Sequence, residues 1–176
     1  MDIGDKIKRK IRDVKDFPRE GIVFKDITPL LMEPQLYSEI ADALVDHWFG
    51  RKIDAIAAVE SRGFLFGMLM ARQLKKPFIP VRKMGKLPST TVQYSYELEY
   101  GQATVEIHDD AVKEGWNVLI HDDLLATGGT AVAAAELVKL LGGQVAGFSF
   151  LVELEFLNGK SLLTKYTEEV HRVITY

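Results

Sequence analysis

Residues 118–130, VLIHDDLLATGGT, constrain this chain more than any other stretch, because two adjacent carboxylates stand directly ahead of a glycine-rich loop. Val118–Leu119–Ile120 is a short apolar run that reads as a buried strand. Asp122 and Asp123 stand where that strand is expected to end. Ala126–Thr130 then turns the chain, and Ala131–Leu141 is a strong helix former that stops at Gly142–Gly143. Strand, glycine turn and helix in this order aim free backbone N–H groups and a helix N-terminus at an anion. Carboxylates repel phosphate, so the two acids suit hydroxyl groups, or a cation forming beside the phosphate. The combination describes a sugar phosphate reacting at its anomeric carbon. No Lys follows the glycines, which excludes a Walker loop.

The bulk composition is consistent with one domain, expected to bury about 70% of its unfolded surface. Cysteine is absent, so disulfides, thiol chemistry and Cys-based zinc sites are excluded. The N-terminal stretch is charged throughout, and no apolar run approaches the ~18 residues of a membrane span. A cytoplasmic protein is expected. A net charge of −3 argues against a dedicated nucleic-acid binder while allowing a local basic pocket.

Apolar spacing predicts a short charged helix over 5–15, with Ile7, Ile11 and Val14 on one side, then a turn at Phe17–Gly21. Ile22–Leu31 reads as irregular, broken by Pro29. A helix follows from about Gln35 to Phe49, its stripe formed by Leu36, Ile40, Leu44 and Trp48. Strands are expected at Ala55–Val59, Phe78–Val81, Thr104–Ile107, Val145–Val152 and Val170–Thr175, with a helix over Gly63–Leu74. Alternating Tyr94, Tyr96, Leu98 and Tyr100 predict a hairpin within 83–101, able to move. Strands alternating with helices indicate an α/β fold built on a parallel sheet, with ligands at the C-terminal strand ends.

Three further segments each carry two readings. Glu60–Ser61–Arg62–Gly63 is either an ordinary strand–helix turn or a second anion site with a forked Arg. Arg82, Lys83 and Lys86 form either a solvated basic turn or a diphosphate grip. Glu97 and Glu99 share one face of the expected hairpin, either solvated or placed to donate a proton to a nitrogen. The tetrapeptide IHDD occurs at 107–110 and again at 120–123; only the second precedes a phosphate loop, and the first is expected at the surface. His47 and His171 show no partner pattern and read as structural.

These segments together carry a family resemblance. VLIHDDLLATGGT is similar to the phosphoribosyl-diphosphate signature of type I phosphoribosyltransferases, with His121 where that family usually keeps an apolar residue. FPREGIVFKDITPLL (17–31), ESRGFLFG (60–67), RKMGKLP (82–88) and SYELEYG (95–101) resemble its adenine branch in particular. The resemblance runs from near the start to about residue 156. The last twenty residues match loosely and carry no site assignment.

The resemblance implies purine salvage: adenine and 5-phosphoribosyl 1-diphosphate give AMP and diphosphate, with Mg²⁺ carried by the substrate diphosphate and water. It implies a small N-terminal hood over residues 1–33 and a phosphoribosyltransferase core over 34–176, compact overall. Ala126, Thr127, Gly128, Gly129 and Thr130 would hold the 5′-phosphate. Asp122 and Asp123 would bind the ribose hydroxyls and favour an oxocarbenium-like transition state. Arg62, Arg82, Lys83 and Lys86 would meet the diphosphate, beside a non-proline cis peptide at Glu60–Ser61. Val23, Phe24 and Lys25 would read adenine, with Phe24 on one face of the ring and Leu124 on the other. Glu99 would be the acid at adenine N7. A cytoplasmic homodimer is also implied.

Two alternatives stay in view. One is the same fold acting on another purine base, against which the adenine-type hood weighs. The other is a non-catalytic phosphoribosyl-diphosphate sensor. Such a sensor needs a DNA-binding extension, and only residues 1–33 precede the core here; it also tends to lose the loop acid that Glu99 supplies.

Overall fold

The computed structural model of the chain describes residues 2–98 and 101–176, which leaves Glu99 outside the described residues. The chain forms two compact units, Met1–Ala43 and Leu44–Tyr176.

The first unit opens with α1 (Ile3–Lys10), capped by the Asp2 carboxylate, which accepts a hydrogen bond from Gly4 N. Lys6 and Lys10 pair with Glu39 and Glu33. The helix stops before the residue 15 expected from apolar spacing. Arg12–Lys15 is instead strand β1, antiparallel to β2 (Val23–Asp26). Its register sets Arg12 opposite Asp26 and Asp13 opposite Lys25, with contacts of 3.2 and 2.7 Å. Opposite charges facing each other across a ladder favour the hairpin, a preference that apolar periodicity does not register.

Ile22–Leu31 is likewise more ordered than expected. After β2, a one-turn helix α2 (Thr28–Leu31) carries Pro29 in its first turn, where the missing N–H costs nothing. The Asp26 carboxylate accepts from both Thr28 N and Thr28 Oγ1. Helix α3 (Pro34–Asp46) ends before the predicted Phe49, and Trp48 lies buried just past its end.

The second unit is a seven-stranded, mostly parallel sheet flanked by helices. In chain order it contains β3 (Ala55–Val59), α4 (Gly63–Leu74), β4 (Phe78–Lys83), β5 (Thr91–Glu97), β6 (Gln102–His108) and β7 (Asn117–Leu125). These are followed by α5 (Gly129–Leu140), β8 (Gln144–Glu153), α6 (Lys160–Leu163) and β9 (Val170–Thr175). The strand order is β5-β6-β4-β3-β7-β8-β9. Strands β4, β3, β7, β8 and β9 run parallel, and the β5–β6 hairpin adds an antiparallel edge.

Alternation along β3 divides its side chains between two helices. Ala55, Ala57 and Val59 join the core cluster that holds Ala133, Ala134 and Leu137 of α5. Ala58 faces α4, where a Cβ on Gly67 would fall 2.6 Å from the Ala58 Cβ. Small residues on both sides let α4 lie close to the strand. Because β3 is central and its neighbours β4 and β7 both follow helical or long connections, the C-terminal ends of β3 and β7 flank a crevice of the kind in which open α/β sheets bind ligands.

His47 and His171 are each other's partner: their rings stack at 4.4 Å, and His47 Nε2 lies 3.5 Å from Glu169. Burial, with smaller effects from His47, Arg172 and Arg51, lowers the His171 pKa to about 4. The first IHDD copy ends β6 in a turn where Asp109 and Asp110 are exposed, as expected. No helix among the described residues is long and apolar enough to cross a membrane.

Candidate active site

Strand β7 does not end at its two acids. It runs on to Leu125 because β8 keeps pairing with it, Asp122 opposite Phe150 and Leu124 opposite Val152. On its other side the ladder with β3 stops at His121 opposite Ala58. The edge of Asp122–Leu125 that faces β3 is therefore open, and the N-terminus of α4 abuts it. A Cβ on Gly63 would fall 2.9 Å from Asp122 Oδ1 and 3.2 Å from Asp122 Cα, so only glycine fits there.

The two acids have different partners. Asp123, 4% exposed, lies with its Oδ2 2.9 Å from the Arg62 guanidinium. Asp122 lines a pocket of about 70 Å³ with Thr127, Gly128, Gly129, Thr130 and Phe150, and its Oδ1 accepts from Asp123 N at 2.8 Å. That volume is far below the ~300–1,000 Å³ of a drug-sized site, and it suits a single small oxyanion. Burial pushes the Asp122 pKa well above the carboxylate range, and repulsion from Asp123 adds to the shift, with Arg62 opposing it. Burial also raises Asp123, against the pull of Arg62. Two carboxylates held this way are poised to be stabilised by any positive charge that forms next to them.

The glycine-rich loop joins β7 to α5, in the strand–turn–helix order expected from the sequence. Gly128, at φ +86°, caps α5 in the left-handed region. Two contacts hold the loop from outside. Tyr96 Oη and Thr130 Oγ1 are 2.9 Å apart, which ties the β5–β6 hairpin to the start of α5. Gly159 presses on the loop from the segment before α6, where a Cβ would meet Ala126 O at 2.2 Å. Gly159 lies in the stretch that carried no site assignment, and nothing in a lone Asn-Gly pair reveals which loop it will touch. Tyr96 is partly legible in the sequence, since its alternation with Tyr94 predicts a hairpin, though not its contact with Thr130.

The second junction and the basic turn are joined. Glu60–Ser61 is a cis peptide bond. Glu60 Oε2 accepts from Arg82 Nε and from Lys83 N, each at 3.0 Å, so Glu60 holds the turn instead of facing the crevice freely. Burial works to raise the Glu60 pKa, but these hydrogen bonds and the charges of Arg82 and Lys83 hold it below the usual value. Arg82 also donates to Lys86 O at 3.1 Å, while the Lys83 and Lys86 side chains are exposed. Ser61 is exposed and Leu124 is half-buried.

In the first unit, Val23 is exposed and Phe24 packs edge-on against Phe17, ring centroids 5.1 Å apart. Lys25 Nζ donates to Asp13 at 2.7 Å. Among the described residues no group of three or more His, Cys, Asp or Glu could hold a metal ion.

The chain is similar to known proteins along nearly its whole length. The model of the phosphoribosyl transferase domain matches residues 27–166. The adenine phosphoribosyltransferase of Flavobacterium johnsoniae is 53% identical over 171 residues, covering 97% of this chain and 99% of that protein. Among solved structures, the adenine phosphoribosyltransferase of Thermoanaerobacter pseudethanolicus superposes with a TM-score of 0.94 at 50% identity, covering 98% and 99% of the two chains. The Saccharomyces cerevisiae enzyme, solved with an imino-altritol bisphosphate and adenine, gives a TM-score of 0.89 at 41% identity, covering 97% of each chain.

Proposed function

The chain belongs to the phosphoribosyltransferase family, among the adenine phosphoribosyltransferases, and from that premise we propose that it works in purine salvage, transferring the 5-phosphoribosyl group of 5-phosphoribosyl 1-diphosphate to adenine to give AMP and diphosphate. One observation carries the reading: a pair of adjacent acids beside a small glycine-rich loop, one half-buried and lining the loop, the other buried under an arginine. The yeast relative's ligands, adenine with a sugar bisphosphate analogue, have the same chemistry.

The roles follow from charge and reach. Ala126–Thr130 grips the 5′-phosphate through backbone N–H groups and the start of α5. Asp122 and Asp123 accept from the ribose hydroxyls, and their charge stabilises the oxocarbenium character that develops as the bond to diphosphate breaks. Arg62, Arg82, Lys83 and Lys86 draw off the negative charge of the departing diphosphate, beside the Glu60–Ser61 turn. Val23–Lys25 reads the base, Phe24 and Leu124 cover its faces, and Glu99 donates a proton at N7. Mg²⁺ carried by the substrate diphosphate would supply further neutralisation of charge at the leaving group. Residues 1–33 act as the hood of the core that follows.

We assign the protein to the cytoplasm and to a homodimer, as the family resemblance implies. Leu65 and Met68 support a dimer, since both are apolar, 43% and 51% exposed, on one face of α4. Sedimentation at micromolar concentration tests the dimer. The reaction is tested by AMP formation from adenine, hypoxanthine, guanine and xanthine in turn, each with phosphoribosyl diphosphate and Mg²⁺. Product from adenine alone is expected; product from another base in preference would overturn the assignment.

A further inference from the structure

Glu106 lies on β6, 2% exposed, between Val105 and Ile107. A carboxylate in such a place needs compensation, and the basic turn and strand β5 provide it together. Glu106 Oε1 accepts from two successive backbone amides, Lys86 N at 3.0 Å and Leu87 N at 2.9 Å. Glu106 Oε2 accepts from Thr91 Oγ1 at 3.2 Å and from Gln93 Nε2 at 3.1 Å. Burial would raise its pKa; the bonds from Leu87, Gln93, Lys86 and Thr91 outweigh that and hold it below the usual value, so it is an anion at neutral pH.

The geometry is that of an anion-binding nest whose anion is part of the protein. Gly85, at φ +81°, lets the chain double back so that the two amides converge on one oxygen. From the other side Glu60 holds Arg82 Nε and Lys83 N. The backbone of the turn is thus clamped between two carboxylates while the ammonium groups of Lys83 and Lys86 stay in solvent. An internal negative charge also lowers the cost of gathering three cations before any ligand arrives.

We propose that Glu106 is a positioning residue for diphosphate: it shapes the turn Arg82–Leu87 so that its cations are presented, already ordered, to the diphosphate of the phosphoribosyl donor. This rests on the reaction proposed above. Glu106 touches no substrate; it acts through the main chain of the turn.

The test compares Glu106→Gln, Glu106→Asp and the double variant Thr91→Val/Gln93→Leu, which keeps Glu106 but removes two of its donors. Steady-state KM for each substrate, product inhibition by diphosphate and thermal midpoints are measured on all three and on the wild type. Glu106→Gln should raise the KM for phosphoribosyl diphosphate and the inhibition constant for diphosphate by about 10- to 100-fold, the scale of a misplaced contact. The KM for adenine should stay within about twofold. Glu106→Asp, which keeps the charge, should recover part of the loss. The double variant should move the same two constants by less, and it decides the matter if Glu106→Gln does not fold. Variants with lowered midpoints but unchanged constants for both phosphate ligands would overturn the inference and leave Glu106 a scaffold residue. A wild type that fails to bind diphosphate in calorimetry would overturn the reaction itself, and the inference with it. Binding by the wild type that weakens in Lys83→Ala and Lys86→Ala but not in the Glu106 variants would overturn the inference alone.

Discussion

The Arg62 guanidinium lies 2.9 Å from the Asp123 carboxylate across the crevice between β3 and β7. The cation belongs to the start of α4 and the anion to β7, so the pair ties the helix to the strand. For the adjacent Asp122, burial and repulsion from Asp123 outweigh the pull of Arg62 and raise its pKa well above the ordinary value. The site is ready for positive charge and less stable for waiting.

Asp122→Asn should therefore stabilise the fold while disabling the enzyme. The folded protein binds this proton more tightly than the unfolded chain, whose Asp titrates near ~3.9. Stability falls as pH rises from there through the raised folded value. The thermal midpoint of the variant should exceed wild type at pH 7, and the difference should vanish below about pH 3. Its kcat should fall roughly 10²–10³-fold. A variant less stable than wild type at pH 7 would refute the electrostatic account.

Asp123→Asn should cut turnover much more than it weakens substrate binding, because its charge matters most as the anomeric carbon becomes positive. One lost contact of this kind costs roughly 2.7–4 kcal/mol in the transition state. Unchanged kcat with only a raised KM would count against that role.

His121 makes a separate prediction about acid stability. It is fully buried in β7, on the face toward Gly67, and neither ring nitrogen hydrogen-bonds to a described residue. Burial lowers its pKa to about 4, with the Ser149 backbone opposing weakly. The unfolded chain takes up this proton first, so stability is fully present above about pH 6.5 and is lost as pH falls toward 4, by about 3 kcal/mol in all. His121→Val should keep its stability at pH 7 and flatten that acid limb. Urea titrations at pH 7 and pH 5 measure it, and parallel losses in both proteins would contradict the prediction.

Base selection should depend on hydrogen-bond polarity. Adenine and hypoxanthine share an outline but exchange donor for acceptor at position 6 and at N1, and each unsatisfied buried group costs roughly 1–3 kcal/mol. With the Lys25 ammonium already engaged by Asp13, the reading is assigned to the main chain of 22–25. Lys25→Ala should then leave the adenine-to-hypoxanthine ratio of kcat/KM nearly unchanged. A ratio that collapses in this variant, in competition kinetics, would move the reading to the side chain.

Much of the second unit was legible because its signals are local. Ala55–Val59, Gly63–Leu74 and Val170–Thr175 have the bounds that apolar runs and flanking glycines implied. The strand Arg12–Lys15 was missed because three apolar residues at helical spacing outweighed a charge register that exists only once Val23–Asp26 lies opposite. Pro29 reads as a breaker in the sequence, yet it sits in the first turn of a short helix, where proline is tolerated. Within the site, the acids and the glycine loop were legible as a motif, but their supports were not. Glu106 gave one unused signal, a charge flanked by Val and Ile in a strand. Tyr96, Gly159 and the Glu60 clamp act across the fold, where one sequence offers no distance information.

Gly159 and the loop 126–130 exclude any side chain between them: a Cβ on Gly128 would meet Gly159 O at 2.7 Å, and one on Gly159 would meet Ala126 O at 2.2 Å. The contour of the loop is thus set jointly by two segments that a linear motif search treats as unrelated. A transplant of residues 118–130 into another α/β scaffold would carry the letters of the signature without the wall it is cast against. Engineering that lengthens or decorates the connector before α6 is, for the same reason, an alteration of the loop 126–130.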